Sequence, residues 1–169
     1  MAEIAAGAGV SRGTPAYFYR SKEDLYRAVL GRAFAETVDL VRSTDFKIGF
    51  EEAISAAVGR YLDFLASRPN FVRLVIRDCL NGGRFLEGLP EHVAALAEGM
   101  RAIREGSEPL RNEVDPRHLL LSAISMCWFP IVASPLTADL GFDPESTAFA
   151  DERKRQVAAL LVSGALAGR

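Results

Sequence analysis

The fold is decided by residues 2–30, which read AEIAAGAGVSRGTPAYFYRSKEDLYRAVL. Ile4, Ala5 and Ala8 have the i, i+1, i+4 spacing that places side chains on one face of a short helix. Gly9 follows that face directly, where a residue that tolerates a positive φ can end a helix. The pattern predicts a first short helix that ends in a tight glycine turn.

The residues after this turn predict a second short helix and a longer third one. Ser11 is a suitable N-cap, and Pro15 fits only the first turn of a helix, which places the start of the second helix at Thr14. Ser21 and Asp24 form the S-x-x-D capping pattern that opens the third helix. Two short helices joined by a tight turn are typical of a helix-turn-helix, whose second helix enters the major groove of DNA.

At these residues the chain resembles the TetR/AcrR family of one-component transcriptional regulators. The family signature runs roughly I-A-x-x-A-G-V-S-x-G-T-x-Y-x-x-F-x-S-K-E-x-L. The sequence departs from it at Ala16, where the family usually has a tyrosine that touches phosphate, and at Tyr19, which replaces a phenylalanine. The matching positions are Ile4, Ala5, Ala8, Gly9, Val10, Ser11, Gly13, Thr14, Ser21, Lys22, Glu23 and Leu25.

The resemblance implies an all-α chain in two parts. Residues 1–45 would form the helix-turn-helix DNA-binding domain with its linking helix, and residues 46–169 a larger helical domain for ligand binding and dimerisation. Family members carry another helix before the motif, which closes a three-helix head, so we expect the head of this chain to be incomplete. Either the sequence lacks residues of the natural protein, or it is a truncated product with an impaired DNA-binding head.

The predicted DNA contacts lie on and beside the second helix. Thr14 and Tyr17 are three residues apart and therefore share a helix face. The alternative is that the aromatic residues only pack the head, and for Tyr19 we favour this alternative. Lys22, at the start of the third helix, resembles the lysine with which the family contacts phosphate. The residues expected to contact DNA are Ser11, Arg12, Thr14, Pro15, Tyr17, Phe18 and Lys22.

Composition favours a globular chain without a generally basic surface. Of the 169 residues 49% are hydrophobic, and the formal net charge is −2. Residues 1–47 have seven Lys and Arg against six Asp and Glu, so DNA binding would depend on a few placed side chains.

Cys79 and Cys127 lie far apart, which is typical of free thiols in a reducing compartment. No signal peptide is indicated, and we expect a cytoplasmic protein.

The segment from Leu119 to Ala138 has no charged residue and is long enough to span a bilayer. Pro130 and Pro135 interrupt it, so a buried helix from Pro116 to about Ile131 is the better interpretation. Its apolar character on all sides predicts contacts with both the core and a second subunit. We therefore expect no membrane partner.

The rest of the chain is predicted to be helical as well. A 3.6-residue stripe begins at Phe50 and ends before Pro69, and a further amphipathic helix is stopped by Gly106 and Pro109. Residues 106–115 and 134–146 are predicted to be irregular connections. A final helix is expected from about Ser146 to Leu166, with the charged run 151–155 on a solvated face.

Two functional surfaces are predicted on these helices. Apolar residues from several helices would surround a cavity for a small apolar effector, although each is more often simple core filler. The proposed lining is Phe64, Phe71, Val75, Phe85, Leu96, Met100, Ile103, Met126 and Phe129. The last two long helices would pair with their symmetry mates as a four-helix interface. The proposed interface residues are Leu121, Ile124, Trp128, Val157, Leu160, Leu161 and Ala165.

Catalytic and metal sites are not indicated. His92 and His118 are 26 residues apart without cysteines or carboxylates at metal-ligand spacing, and no serine lies in a nucleophile elbow.

The sequence is thus interpreted as a homodimeric, ligand-responsive repressor that has no cofactor. This repressor would bind a palindromic operator in double-stranded DNA. The alternative is a dimeric small-molecule-binding or interaction protein that no longer binds DNA.

Overall fold

A computed structural model describes residues 1–106 and 110–166 of the chain. The predicted loop at 106–115 is therefore described only in part, because Pro109 and its two preceding residues lie outside these ranges, as do residues 167–169. Within the described residues the all-α prediction is confirmed. The nine helices found there are α1 (Ala2–Gly7), α2 (Thr14–Phe18), α3 (Lys22–Arg42), α4 (Phe50–Ser67), α5 (Pro69–Leu80), α6 (Pro90–Arg104), α7 (Pro116–Val132), α8 (Ser134–Asp139) and α9 (Thr147–Ala165).

Short polar side chains cap several of these helices, and the cap at Ser21 is predicted by its sequence pattern. The Ser21 hydroxyl accepts a hydrogen bond from the Asp24 N–H at 3.0 Å and starts α3. The Asp115 carboxylate accepts the Arg117 N–H at 2.8 Å before α7. Each cap satisfies one of the N–H groups that have no partner within the helix.

The body is built from two pairs of long helices with α7 between them. Helix α3 lies along α6, α4 lies along α9, and α7 contacts both α6 and α9. Residues of α3, α4, α5 and α9 meet in one core, which includes Leu30, Leu65, Val72 and Val157, each fully buried. Helices α1 and α2 contact each other and stand apart from this body in the described chain.

Close helix approach and one partly buried hydrogen bond hold α7 in place. Gly99 of α6 faces Leu120, and a Cβ atom at Gly99 would lie only 2.9 Å from Leu120 Cδ1. The indole N–H of Trp128 donates to the Tyr61 hydroxyl of α4 across 2.7 Å. Helix α7 is thereby fixed against its neighbours on two sides.

The structure corrects two expectations from the sequence. Residues 134–146 are not wholly irregular, because they contain α8, which ends before Gly141 at a φ of 84°. The charged run 151–155 is not a simple solvated face. Arg153 donates to the Met126 carbonyl at 2.7 Å, and Lys154 lies 2.6 Å from the Asp63 carboxylate. These two cations join α9 to α7 and α4, since both partners lie far away along the chain.

Candidate functional site

Helix α1 ends in a hydrogen-bonded glycine turn that sets the direction of the chain into α2. Gly9 has a φ of 66°, and its N–H donates to the Ala6 carbonyl at 3.2 Å. The Val10 N–H donates to the Ala5 carbonyl at 3.0 Å. This 6→1 and 5→2 pair is the Schellman motif, which closes a helix on a residue of positive φ. The turn predicted at Gly9 is confirmed.

Helix α2 begins at Thr14, as the position of Pro15 predicts, but its N-cap is Gly13 and not the predicted Ser11. The hydroxyls of Ser11 and Thr14 are 2.6 Å apart and hydrogen-bonded, and the Thr14 N–H donates to the Ser11 carbonyl at 3.0 Å. The Tyr19 N–H donates to the Pro15 carbonyl at 2.9 Å, after which the chain becomes extended. The bonds at both ends hold this five-residue helix behind the turn.

The outer face of α2 carries two exposed aromatic rings. Tyr17 and Phe18 are 84% and 69% exposed, and their rings meet edge to face at 5.1 Å. Arg12 before the helix and Lys22 after it are exposed as well. We call these four exposed side chains on and beside α2 the α2 face.

The other predicted DNA-contact residues lie differently. Ser11 is exposed but its hydroxyl is bonded to Thr14, which is half-buried. Pro15 is buried and does not join the α2 face. Pro15 is the buried residue of α2, as Ala5 is the buried residue of α1, and these two helices contact each other.

In the body, the predicted effector lining does not surround one common space. Phe64, Phe71 and Val75 are buried in the core, where Phe64 and Phe71 pack edge to face at 5.6 Å. Leu96 and Phe129 are exposed. The other lining residues are half-buried, and they are Phe85, Met100, Ile103 and Met126.

Two open grooves lie at the surface of the described chain. One, of about 500 Å³, lies between the end of α6 and the start of α7 and is bordered by Met100, Arg104 and Arg117. The other, of about 750 Å³, lies between α4 and α9. Of the nine predicted lining residues, Met100 alone borders either groove.

Comparison with known families gives the identity of this body. A family model described as Tetracyclin repressor-like, C-terminal domain, matches residues 51–161. The chain belongs to the TetR family. No curated protein matches the chain. The family assignment agrees with the helix-turn-helix signature at the other end of the sequence, which lies outside the matched residues.

In this TetR-family chain the predicted subunit surface is divided between exposed and buried residues. Leu121 and Leu160 are 60% and 54% exposed, and Ile124 is half-buried. Trp128 is also half-buried and bonded to Tyr61. By contrast, the chain's own core contains the side chains of Val157, Leu161 and Ala165. The accessible part of the predicted surface is therefore Leu121, Ile124 and Leu160.

Sequence reasoning missed a junction between α3 and the segment after α5. The Tyr26 hydroxyl donates to the Leu74 carbonyl at 2.7 Å, and its ring lies 4.7 Å from that of Phe85. Burial is the main reason that the pKa of Tyr26 is raised. Arg84 lies over the Phe85 ring and 3.7 Å from Glu23 of α3. No periodic pattern joins these residues in the sequence, so only the fold reveals the junction.

Among the described residues, no group of three or more His, Cys, Asp or Glu side chains lies close enough together to hold a metal ion. His92 lies 5.0 Å from the Phe34 ring, and burial lowers its pKa. His118 and Cys79 are exposed, whereas burial raises the pKa of Cys127 to about 12. Across the described chain, no helix has both the length and the apolar character needed to cross a membrane.

Proposed function

We propose that this TetR-family chain is a sequence-specific DNA-binding repressor that acts as a homodimer and releases its operator when a small molecule binds the body. The observation that carries the proposal is the α2 face. Tyr17 and Phe18 are exposed on a helix that stands apart from the body, and large aromatic side chains rarely stay so exposed without a partner.

Three residues of the α2 face have a chemical role in this proposal. Tyr17 would contact base edges in the major groove, with the Thr14 methyl group beside it on the same helix turn. Lys22 would pair with a phosphate at the start of α3, where the helix amides also favour an anion. Arg12 would contribute a second phosphate contact.

A dimer would present two α2 helices to successive major grooves. The exposed Leu121 of α7 and Leu160 of α9 support a surface in which these helices pair with their symmetry mates. Two-fold symmetry then requires a palindromic operator, with half-site centres roughly 34–36 Å or a multiple apart. The proposed boundary between the DNA-binding and dimerisation parts lies near residue 45, between α3 and α4.

Effector binding would be coupled to DNA binding through the body. Helix α3 links the α2 face to α6, along which it packs. A small molecule that prefers a conformation of the body in which the two α2 helices do not fit the operator lowers the affinity for DNA. By linkage, the operator lowers the affinity for the small molecule by the same factor. This reciprocity makes the repressor hypothesis measurable from either ligand.

The test is a fluorescence anisotropy titration with a labelled duplex from the region upstream of the protein's own gene. Lys22→Gln should weaken binding to all duplexes similarly and reduce the salt slope by about 0.9. Lys47→Gln, an exposed lysine in the connection after α3, is the matched control and should leave the slope unchanged. Tyr17→Ala should instead change the ranking of operator variants.

Equal affinity for the upstream duplex and for a scrambled duplex would refute sequence-specific binding. If the protein binds a small molecule as a dimer but binds no DNA, the alternative of a ligand-binding dimer replaces the repressor. A Lys22→Gln slope equal to that of Lys47→Gln would remove Lys22 from the proposed interface.

A further inference from the structure

The groove between α4 and α9 is a separate surface from the α2 face and from the predicted effector lining. Its volume of about 750 Å³ lies in the range of about 300–1,000 Å³ that is typical of small-molecule sites. The walls come from two helices that pack closely along each other. The central lining residues are Ser55, Gly59, Ala158, Ala159, Val162 and Ser163.

The floor of the groove consists of small, mostly apolar side chains, which leave space above them. Ala158 is buried at the base, and Val162 is half-buried beside it. A Cβ atom at Gly59 would meet nothing closer than Lys154 Cδ, at 4.0 Å, so the space above Gly59 is open. An aliphatic chain laid along the groove would contact carbon atoms and would displace water from them.

The rim of the groove has three cations, of which two are already paired. Lys154 lies 2.6 Å from Asp63 and 3.6 Å from Asp151, and these carboxylates raise its pKa. Arg155 pairs with Glu152. Both cations therefore have carboxylate partners within the protein.

Arg111 is the third cation. Within residues 1–106 and 110–166 its guanidinium has no ion pair or hydrogen bond. Its backbone is held in place, because its N–H donates to the Ala165 carbonyl at 2.9 Å. The neighbouring Leu110 also forms an isolated antiparallel β-bridge with Leu166. The main chain thus fixes the point from which the Arg111 side chain extends at this end of the groove, and no carboxylate of the described residues pairs with its charge. Glu51 is the acidic residue in the lining.

We propose that the α4–α9 groove binds an amphipathic anion, with an aliphatic chain on the floor and a carboxylate on Arg111. A guanidinium binds a carboxylate through two parallel hydrogen bonds, which an alcohol or an amine cannot reproduce. The site depends on its own lining and does not depend on DNA binding by the α2 face. It also differs in chemistry from the uncharged effector expected from the sequence.

The experiment is isothermal titration of the full chain with octanoate below its micelle threshold, beside 1-octanol and octylamine as probes of matched length. Octanoate should bind saturably and at least about tenfold more tightly than either probe. Arg111→Gln should weaken octanoate binding about tenfold or more. Arg104→Gln, an exposed arginine in the other groove, is the matched control and should bind octanoate like the wild type.

A second variant fills the groove without touching the charge. Gly59→Leu places a side chain in the open space and replaces a glycine in the helix interior with a better helix former, so folding should be preserved. Octanoate binding should then be lost with an unchanged or higher Tm. The proposal is overturned if octanoate does not bind, if 1-octanol binds as tightly, or if Arg111→Gln binds octanoate like the wild type. Octanoate binding by Gly59→Leu at wild-type strength would also overturn the proposal. If Gly59→Leu lowers the Tm, the test depends on the Arg111→Gln result instead.

Discussion

The hydrogen bond between Trp128 and Tyr61 allows one stability prediction to be worked out in detail. The indole N–H of Trp128 donates to the Tyr61 hydroxyl at 2.7 Å and joins α7 to α4. Tyr61 is half-buried, and the desolvation of its hydroxyl raises its pKa well above the ordinary value of 10, so the hydroxyl stays protonated. Tyr61→Phe removes the acceptor while it keeps the ring that stacks near Phe64.

The expected loss follows from leaving one buried donor without a partner. Such a group costs about 1–3 kcal/mol of unfolding free energy. Trp128 is half-buried, so water can satisfy part of its hydrogen-bonding capacity and the lower half of that range applies. For a chain of this size about 1–2 kcal/mol corresponds to a fall in Tm of roughly 2–8 °C.

The assay is thermal unfolding followed by circular dichroism at fixed protein concentration. Tyr17→Phe is the matched control, because this exposed hydroxyl has no hydrogen bond in the described structure and its loss should leave Tm unchanged. In the Trp128→Phe background, Tyr61→Phe should cost much less, since the donor is already absent. The reasoning is refuted if Tyr61→Phe keeps Tm within about 1 °C of the control, or if its cost is the same in both backgrounds.

Three further predictions concern the turn, the subunit surface and a helix cap. Gly9→Ala should destabilise the fold by roughly 1–2 kcal/mol in chemical denaturation because of the φ of 66°, whereas Gly13→Ala, at a negative φ with open space around it, should be near neutral. Leu160→Asp should produce monomers of unchanged helicity in analytical ultracentrifugation, and an intact dimer would remove Leu160 from the interface. Hydrogen bonds from Arg117 lower the pKa of Asp115 from 3.8 to about 2, so this carboxylate stabilises the fold above pH 3.8 and its contribution is lost as the pH falls towards 2. The Tm difference between wild type and Asp115→Asn should therefore shrink over that pH window, and a constant difference would contradict the assignment.

Local signals in the sequence predict most of the long helices and several helix ends, although they do not predict α8. The turn at Gly9, the cap at Ser21 and the start of α2 at Thr14, one residue before Pro15, are predicted from the sequence and confirmed. Each depends on atoms within about five residues of one another, so a pattern along the chain contains the relevant physics. The same short-range pattern was enough to indicate the family.

The tertiary structure alone decided which side chains are accessible. Leu160 and Leu161 are equivalent in the sequence, yet one is 54% exposed and the other 3% exposed, because α4 and α7 cover only one side of α9. Arg153 looked like part of a solvated run but donates to a carbonyl 27 residues away. Helical periodicity predicts that a face exists but does not identify its neighbour, since packing joins residues that are distant along the chain. The groove beside Arg111 has the same origin, because its walls come from helices that only the fold brings together.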